Sequence, residues 1–131
     1  MGPLDYFTSR LEDLGEGSAI LHLTGEIDMA IKGQLADGLE SLARGGLESV
    51  VIDGTEITFM DSTGFHALVD GKRLLHEQGI RIILVASPQM RRILELLAPE
   101  PIFAARVDTL EEAMVLLNGM GTTQTPSDPS V

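Results

Sequence analysis

Ile80–Ala86 is apolar at every position except Arg81, and it lies between Gly79 and the pair Ser87–Pro88. A short run of this kind has no wet face, so it reads as a strand buried on both sides. Sheets covered on both faces are built mostly from parallel strands joined by helical crossovers. Val50–Val51–Ile52–Asp53 is a second run of the same type. Between the two runs lies a helical pattern from about Gly64 to Gln78, closed by Gly79. Strand, helix and strand thus follow in the order that a parallel crossover needs.

The rest of the chain extends this alternation. Residues near Tyr6–Leu14 read as a strand, Gly15–Glu16–Gly17 as a turn, and Ala19–Thr24 as a second strand. So short a connection makes those strands antiparallel. Thr24–Gly25–Glu26–Ile27–Asp28 ends the second strand, with Asp28 as the natural N-cap of a helix. Ile31, Leu35, Leu39 and Leu42 mark one face of that helix, and Gly45–Gly46 stops it. Ser87 and Pro88 start another helix, with Met90, Ile93, Leu94 and Leu97 as its apolar stripe and Pro99 and Pro101 at its end. Ile102–Val107 reads as a short last strand. Thr109 and Glu112 form a capping box for a final helix through Leu110, Ala113, Met114 and Leu117. The expected fold is α/β: one domain over residues 4–117, with a mixed, mostly parallel sheet, an antiparallel N-terminal edge strand and four helices. From Asn118 the chain turns to Gly, Thr, Ser and Pro, the composition of a disordered tail over residues 118–131.

Charge narrows the partners. The chain carries 9 Lys and Arg against 20 Asp and Glu, a net charge of −11. Nucleic acid and anionic membrane surfaces need cationic patches, so neither is expected as a partner. There is no cysteine, hence no disulfide framework and no thiolate metal site, and a cytoplasmic setting fits. His22, His66 and His76 do not make a ligand-spaced cluster, so no metal is expected. No apolar run approaches the ~18 residues of a membrane span, and the start lacks a signal-peptide pattern.

The densest chemistry lies at Asp61–Ser62–Thr63–Gly64, where a strand gives way to a helix. Hydroxyls placed there meet unpartnered backbone N–H groups and the positive end of the helix dipole. Asp61 or Ser62 can serve as N-cap, and a capped helix is the plainest meaning of such a string. The following helix carries two stripes. Gly64, Leu68, Gly71 and Leu75 form one, broadened by Ala67 and Leu74; Phe65, Val69, Lys72 and His76 form the other, about 100° away. The small Gly71 favours the first stripe for packing on the sheet, which leaves Phe65 and Val69 partly exposed beside Ser62. A helix buried over a wide face is the equal alternative.

Three segments together resemble the STAS domains of bacterial anti-sigma factor antagonists. Leu23–Thr24–Gly25–Glu26–Ile27–Asp28 is similar to the family's L-x-G-x-[LI]-D. Val50–Asp53 followed by Phe59–Met60–Asp61–Ser62–Thr63–Gly64 is similar to its strand and D-S-[ST]-G switch. Ala86–Ser87–Pro88–Gln89–Met90, with Arg91 and Arg92, is similar to its S-P-x-[VM]-x-[RK] helix start. The likeness spans about residues 4–117. It departs at His66, where the family often has a small residue.

The resemblance implies a phosphorylation switch without catalysis by this chain and without a cofactor. The implied acceptor is Ser62, phosphorylated by an anti-sigma factor that is also a serine kinase. The unphosphorylated form is implied to bind that partner and release a sigma factor, and a phosphatase resets the cycle. Charge agrees with a switch: no Lys or Arg lies between Arg44 and Lys72, while Glu48, Asp53, Glu56, Asp61 and Asp70 do. A phosphate adding roughly −1.5 to −2 charges there would repel a partner rather than rearrange the domain. Partners of mostly parallel sheets gather at the carboxyl ends of the strands. The expected binding face therefore joins Gly25 and Asp28, the loop Thr55–Asp61, Ser62, Thr63 and Gly64, and the stripe of Phe65 and Val69.

Two other readings stand beside this one. An enzyme with Ser62 as nucleophile would need Gly-x-Ser-x-Gly, yet residue 60 is Met, and His66 has only Asp70 as an orienting group. An accessory subunit of a membrane transporter, or a small-ligand-binding module, would share the fold, since fold alone does not settle function.

Overall fold

The computed structural model describes residues 7–98, 103 and 105–121. The elements are β1 (Phe7–Gly15), β2 (Ser18–Ile27), α1 (Lys32–Ala43), β3 (Ser49–Met60), α2 (Ser62–Glu77), β4 (Arg81–Ala86), α3 (Pro88–Leu97), β5 (Ala105–Val107) and α4 (Leu110–Gly121). They form one α/β domain with a five-stranded sheet in the order β1-β2-β3-β4-β5. β1 runs antiparallel to β2, and every other neighbouring pair is parallel. The order of elements and the antiparallel edge are those expected from the sequence.

Two cores explain the apolar runs. On one side of the sheet Leu21, Leu23, Val50, Ile52, Leu84 and Ala86 pack with residues of α1, α2 and α3. On the other Ile20, Val51, Ile83 and Val85 pack with Ala113 and Leu117 of α4. Successive residues of β3 and β4 thus point into different cores, so those strands need apolar side chains at consecutive positions. α1 and α2 lie close together because Gly71 has no side chain: a Cβ there would stand 2.8 Å from Leu39 Cβ.

The structure corrects the sequence reading at several points. Thr55–Met60 is the second half of β3 rather than a loop. β4 ends at Ala86, opposite Gly54, so beyond that point β3 pairs with β2 alone. There Ile57 and Met60 are buried while Glu56, Thr58 and Phe59 are exposed. This half carries Thr, Ile and Phe, good strand formers, without the continuous apolar run of Val50–Ile52. α1 begins at Lys32, and Asp28 does not cap it. Asp28 Oδ1 instead accepts from the Ala30 N–H at 3.0 Å, a local turn that precedes the helix. In α3, Met90 and Leu94 are buried, but Leu97 is 40% exposed and falls outside the stripe. α4 runs on through Asn118 to Gly121, where the sequence reading begins the tail. Leu4–Tyr6, Pro99, Pro101, Ile102 and the tail from residue 122 lie outside the described residues.

Candidate functional site

The switch-like string sits at the β3–α2 junction, at the carboxyl edge of the parallel strands. Asp61 is the N-cap of α2, in extended conformation, and its Oδ1 accepts from the Gly64 N–H at 2.9 Å. The same oxygen accepts from the Thr63 hydroxyl at 2.7 Å. Ser62 is the first residue of the helix and is exposed, whereas Thr63 is half-buried. Adjacent hydroxyls are therefore in different states. Thr63 is committed to Asp61, and among the described residues nothing engages the Ser62 hydroxyl.

Asp61 also ties this junction to the end of β2. Burial of its carboxyl works to raise the pKa, but hydrogen bonds from the Thr63 hydroxyl and from the N–H groups of Gly64, Thr63 and Met29 outweigh burial and hold it below the ordinary aspartate value. The Asp61 N–H donates to the Ile27 carbonyl at 3.2 Å. Gly64 presses on that carbonyl so closely that a Cβ would stand 2.5 Å from its oxygen. The Thr58 hydroxyl donates to the Gly25 carbonyl at 3.4 Å, where Gly25 takes φ 107°. The structure thus brings Gly25, Asp28, Asp61, Ser62, Thr63 and Gly64 to one rim.

A depressed carboxyl pKa has a stability consequence. The contribution of ionised Asp61 is complete above the unfolded-state pKa and is lost as pH falls through the lower folded-state value. The stability gap between the wild type and Asp61→Asn should be flat above about pH 5 and narrow below about pH 4. Thermal melts across that range would measure it; a gap unchanged down to the acid limit of folding would contradict the hydrogen-bond pattern.

The expected exposed stripe of α2 is not there. Phe65 is buried at 6% exposure, in the same core as Ala67, Leu68 and Leu75. Val69 is half-buried and packed against that core. The helix is buried over a wide face, and Phe65 presents no surface to a partner. His66 is exposed, with its ring edge-on to Phe65 at 5.4 Å between centroids. The large exposed apolar groups at this rim are instead Met29, 66% exposed, and Phe59, 45% exposed, beside Glu26 in the β2–β3 register. Phe59 belongs to the segment Thr55–Asp61 that the sequence places in the binding face, there read as a loop; Met29, which follows Asp28 in an irregular turn, was not singled out.

His22, to which the sequence assigned no role, joins a polar network on the α4 side of the sheet. Its Nδ1 lies 2.7 Å from Asp53 Oδ2, and its Nε2 lies 2.8 Å from Glu12 Oε1. Asp53 Oδ1 also accepts from the Thr55 hydroxyl at 2.8 Å. The buried Asp53 carboxylate is thus fully partnered, one residue before β3 runs past the end of β4. Among the described residues no helix is long and apolar enough to cross a membrane.

Comparison with known proteins places this geometry. The family model described as the STAS domain matches residues 12–114. No curated protein sequence matches the chain significantly. Among solved structures, an anti-sigma factor antagonist from Mycobacterium paratuberculosis is similar at 25% identity and TM-score 0.76, over 89% of this chain and 97% of that one. The anti-sigma factor antagonist SpoIIAA in its unphosphorylated form is similar at 23% identity and TM-score 0.69, over 86% of this chain and 97% of its own. The Bacillus cell fate determinant SpoIIAA in the phosphorylated form is similar at 24% identity and TM-score 0.63, over 84% and 99%. At those identities both forms of SpoIIAA establish likeness of fold.

Proposed function

The chain belongs to the STAS domain family, and from that premise we propose that it is an anti-sigma factor antagonist switched by phosphorylation of Ser62. The observation that carries this reading is the contrast between adjacent hydroxyls: Ser62 is exposed at the start of α2, and Thr63 is tied to Asp61. A kinase needs a free nucleophilic oxygen on an accessible backbone, and of these two hydroxyls Ser62 offers one. The Mycobacterium paratuberculosis neighbour, described as an anti-sigma factor antagonist, supports the partner class.

In this reading the unphosphorylated protein binds an anti-sigma factor that is also a serine kinase, and a sigma factor is released. The kinase transfers the γ-phosphoryl group of ATP to Ser62 Oγ, and the hydroxyl proton passes to a base of the kinase. A phosphatase hydrolyses the phosphoserine and restores binding. The helix N-terminus tolerates the added charge locally, since it is the positive end of the dipole. The partner must then approach a doubly charged group on a surface without Lys or Arg between Arg44 and Lys72. Repulsion and desolvation at the interface weaken the complex without refolding the domain.

The binding face in this reading is the rim of Gly25, Asp28, Asp61, Ser62, Thr63 and Gly64, flanked by half-buried Val69. Met29 and Phe59 supply the apolar contact that buried Phe65 does not. Phe59→Ala should weaken the complex by about 1–2 kcal/mol with little change in stability, since the ring is half-exposed. Isothermal titration beside a thermal melt checks both; unchanged affinity would remove Phe59 from the interface. The partner class is tested by affinity capture on the full chain from the source cytoplasm. Recovery of an ATP-binding anti-sigma factor is expected, released when Ser62→Asp replaces the wild type. Recovery of a transporter ATPase instead would overturn the assignment.

A further inference from the structure

β1 is an edge strand, paired among the described residues with β2 alone, and eight of its positions after Phe7 are not fully buried. Such an edge presents a row of unpaired N–H and C=O groups, and proteins usually blunt it with charged side chains, proline or a bulge. β1, Phe-Thr-Ser-Arg-Leu-Glu-Asp-Leu-Gly, has no proline, its register shift falls only at the end, between Asp13 and Gly15, and its charges Arg10, Glu12 and Asp13 are of both signs, so they can pair with a second copy as well as repel one. Leu11, at its midpoint, is 54% exposed. Behind it an apolar groove of about 470 Å³ opens between β1 and α1, lined by Leu11, Leu21, Leu42, Leu47 and the small Gly38 and Ser41.

We propose that this edge binds a second copy of the chain, β1 against β1, in an antiparallel pair centred on Leu11. A two-fold axis perpendicular to the sheet keeps the same face up on both copies, so it passes through a residue pair and not between residues. Charge then selects the register. Centring on Arg10 or on Glu12 sets like charges face to face, and centring on Asp13 does the same. Centring on Ser9 forms no ion pair and shortens the overlap. Centring on Leu11 overlaps the whole strand, Phe7 opposite the partner's Gly15, and sets Arg10 opposite the partner's Glu12 twice over. Arg10 has no ion-pair partner among the described residues, so it is available for this role. The same register brings the partner's Leu11 beside Leu11 at the rim of the groove, covering the exposed apolar centre of the strand. The interface lies along the β1 edge of the sheet and does not use Ser62, so this inference stands apart from the switch.

The experiment is sedimentation equilibrium of the full chain at physiological ionic strength, from micromolar to millimolar concentration. Wild type should approach twice the monomer mass. Arg10→Glu turns both attractive pairs into repulsive ones and should weaken association ~tenfold or more. The combined Arg10→Glu and Glu12→Arg protein restores both pairs and should associate again. Because Glu12 also meets His22, a second variant tests register alone. The chain has no cysteine, so Leu11→Cys should form a disulfide-linked dimer on mild oxidation, the two Cα atoms falling within the ~4.4–6.8 Å that the bond requires. Ser9→Cys should not, because the two copies of residue 9 lie apart in this register. A wild type that stays monomeric throughout, a charge-swapped protein that folds but does not associate, or cross-linking at residue 9 in place of residue 11 would overturn the proposal.

Discussion

Phe65→Ala should lower the stability of the fold by about 3–5 kcal/mol, the cost of emptying a buried phenylalanine site. Phe65 is buried in the core beneath α2, with Gly64 and Leu68 beside it in the helix. Gly64 lies against the Ile27 carbonyl, so the helix start is fixed by backbone contact and has little room to collapse into the cavity. A domain of ordinary stability, about 5–15 kcal/mol, would lose a large share of it. Urea unfolding at constant pH measures the loss. The folded fraction should keep its affinity for the proposed anti-sigma partner. A loss below about 1 kcal/mol together with a tenfold fall in affinity would instead make Phe65 a surface anchor.

Ser62→Asp should separate binding from stability in the opposite sense. A carboxylate in the first turn of α2 meets the positive end of the helix dipole and should leave stability unchanged or raise it by about 0.3–1 kcal/mol. The N-cap is Asp61, so the substitution removes no capping bond. Affinity should fall ~tenfold or more, since the new charge enters a surface without nearby cations on its own stretch of chain. Ser62→Ala should keep both stability and affinity for the same reason: the hydroxyl it removes caps nothing. An equal fall in stability and affinity for Ser62→Asp would point to damage at the helix start rather than to a charge switch.

Most of the fold was legible because its signals are local and redundant. The apolar run at β4, the Gly45–Gly46 and Gly79 stops, and Ser87–Pro88 each mark a boundary by backbone chemistry alone. The Ser87 hydroxyl accepts from the Met90 N–H at 3.2 Å, as its position suggests. Thr109 and Glu112 bond reciprocally, as a capping box does. What was not legible depends on neighbours distant in sequence. The second half of β3 is strand because β2 continues beside it, although β4 has ended. Phe65 is buried because α2 packs over a wide face, with α1 against it at Gly71. Periodicity shows two stripes on that helix but not how many neighbours cover them. Asp28 and Asp61 each precede a helix and look alike as caps. Only the Thr63 and Gly64 contacts of Asp61 show which of them caps. His22 found its carboxylate partners across β1 and β3, at separations that no local pattern reports.

The central claim is that Ser62, and not Thr63, is the hydroxyl that takes phosphate. Incubation of the full chain with the anti-sigma kinase proposed as its partner and ATP, followed by fragmentation mass spectrometry of the peptide spanning the β3–α2 junction, tests it most directly. A single phosphate on Ser62, absent from Ser62→Ala and still present on Thr63→Val, is the predicted result. Phosphate on Thr63, or phosphorylation of Ser62→Ala at the wild-type rate, would contradict the account.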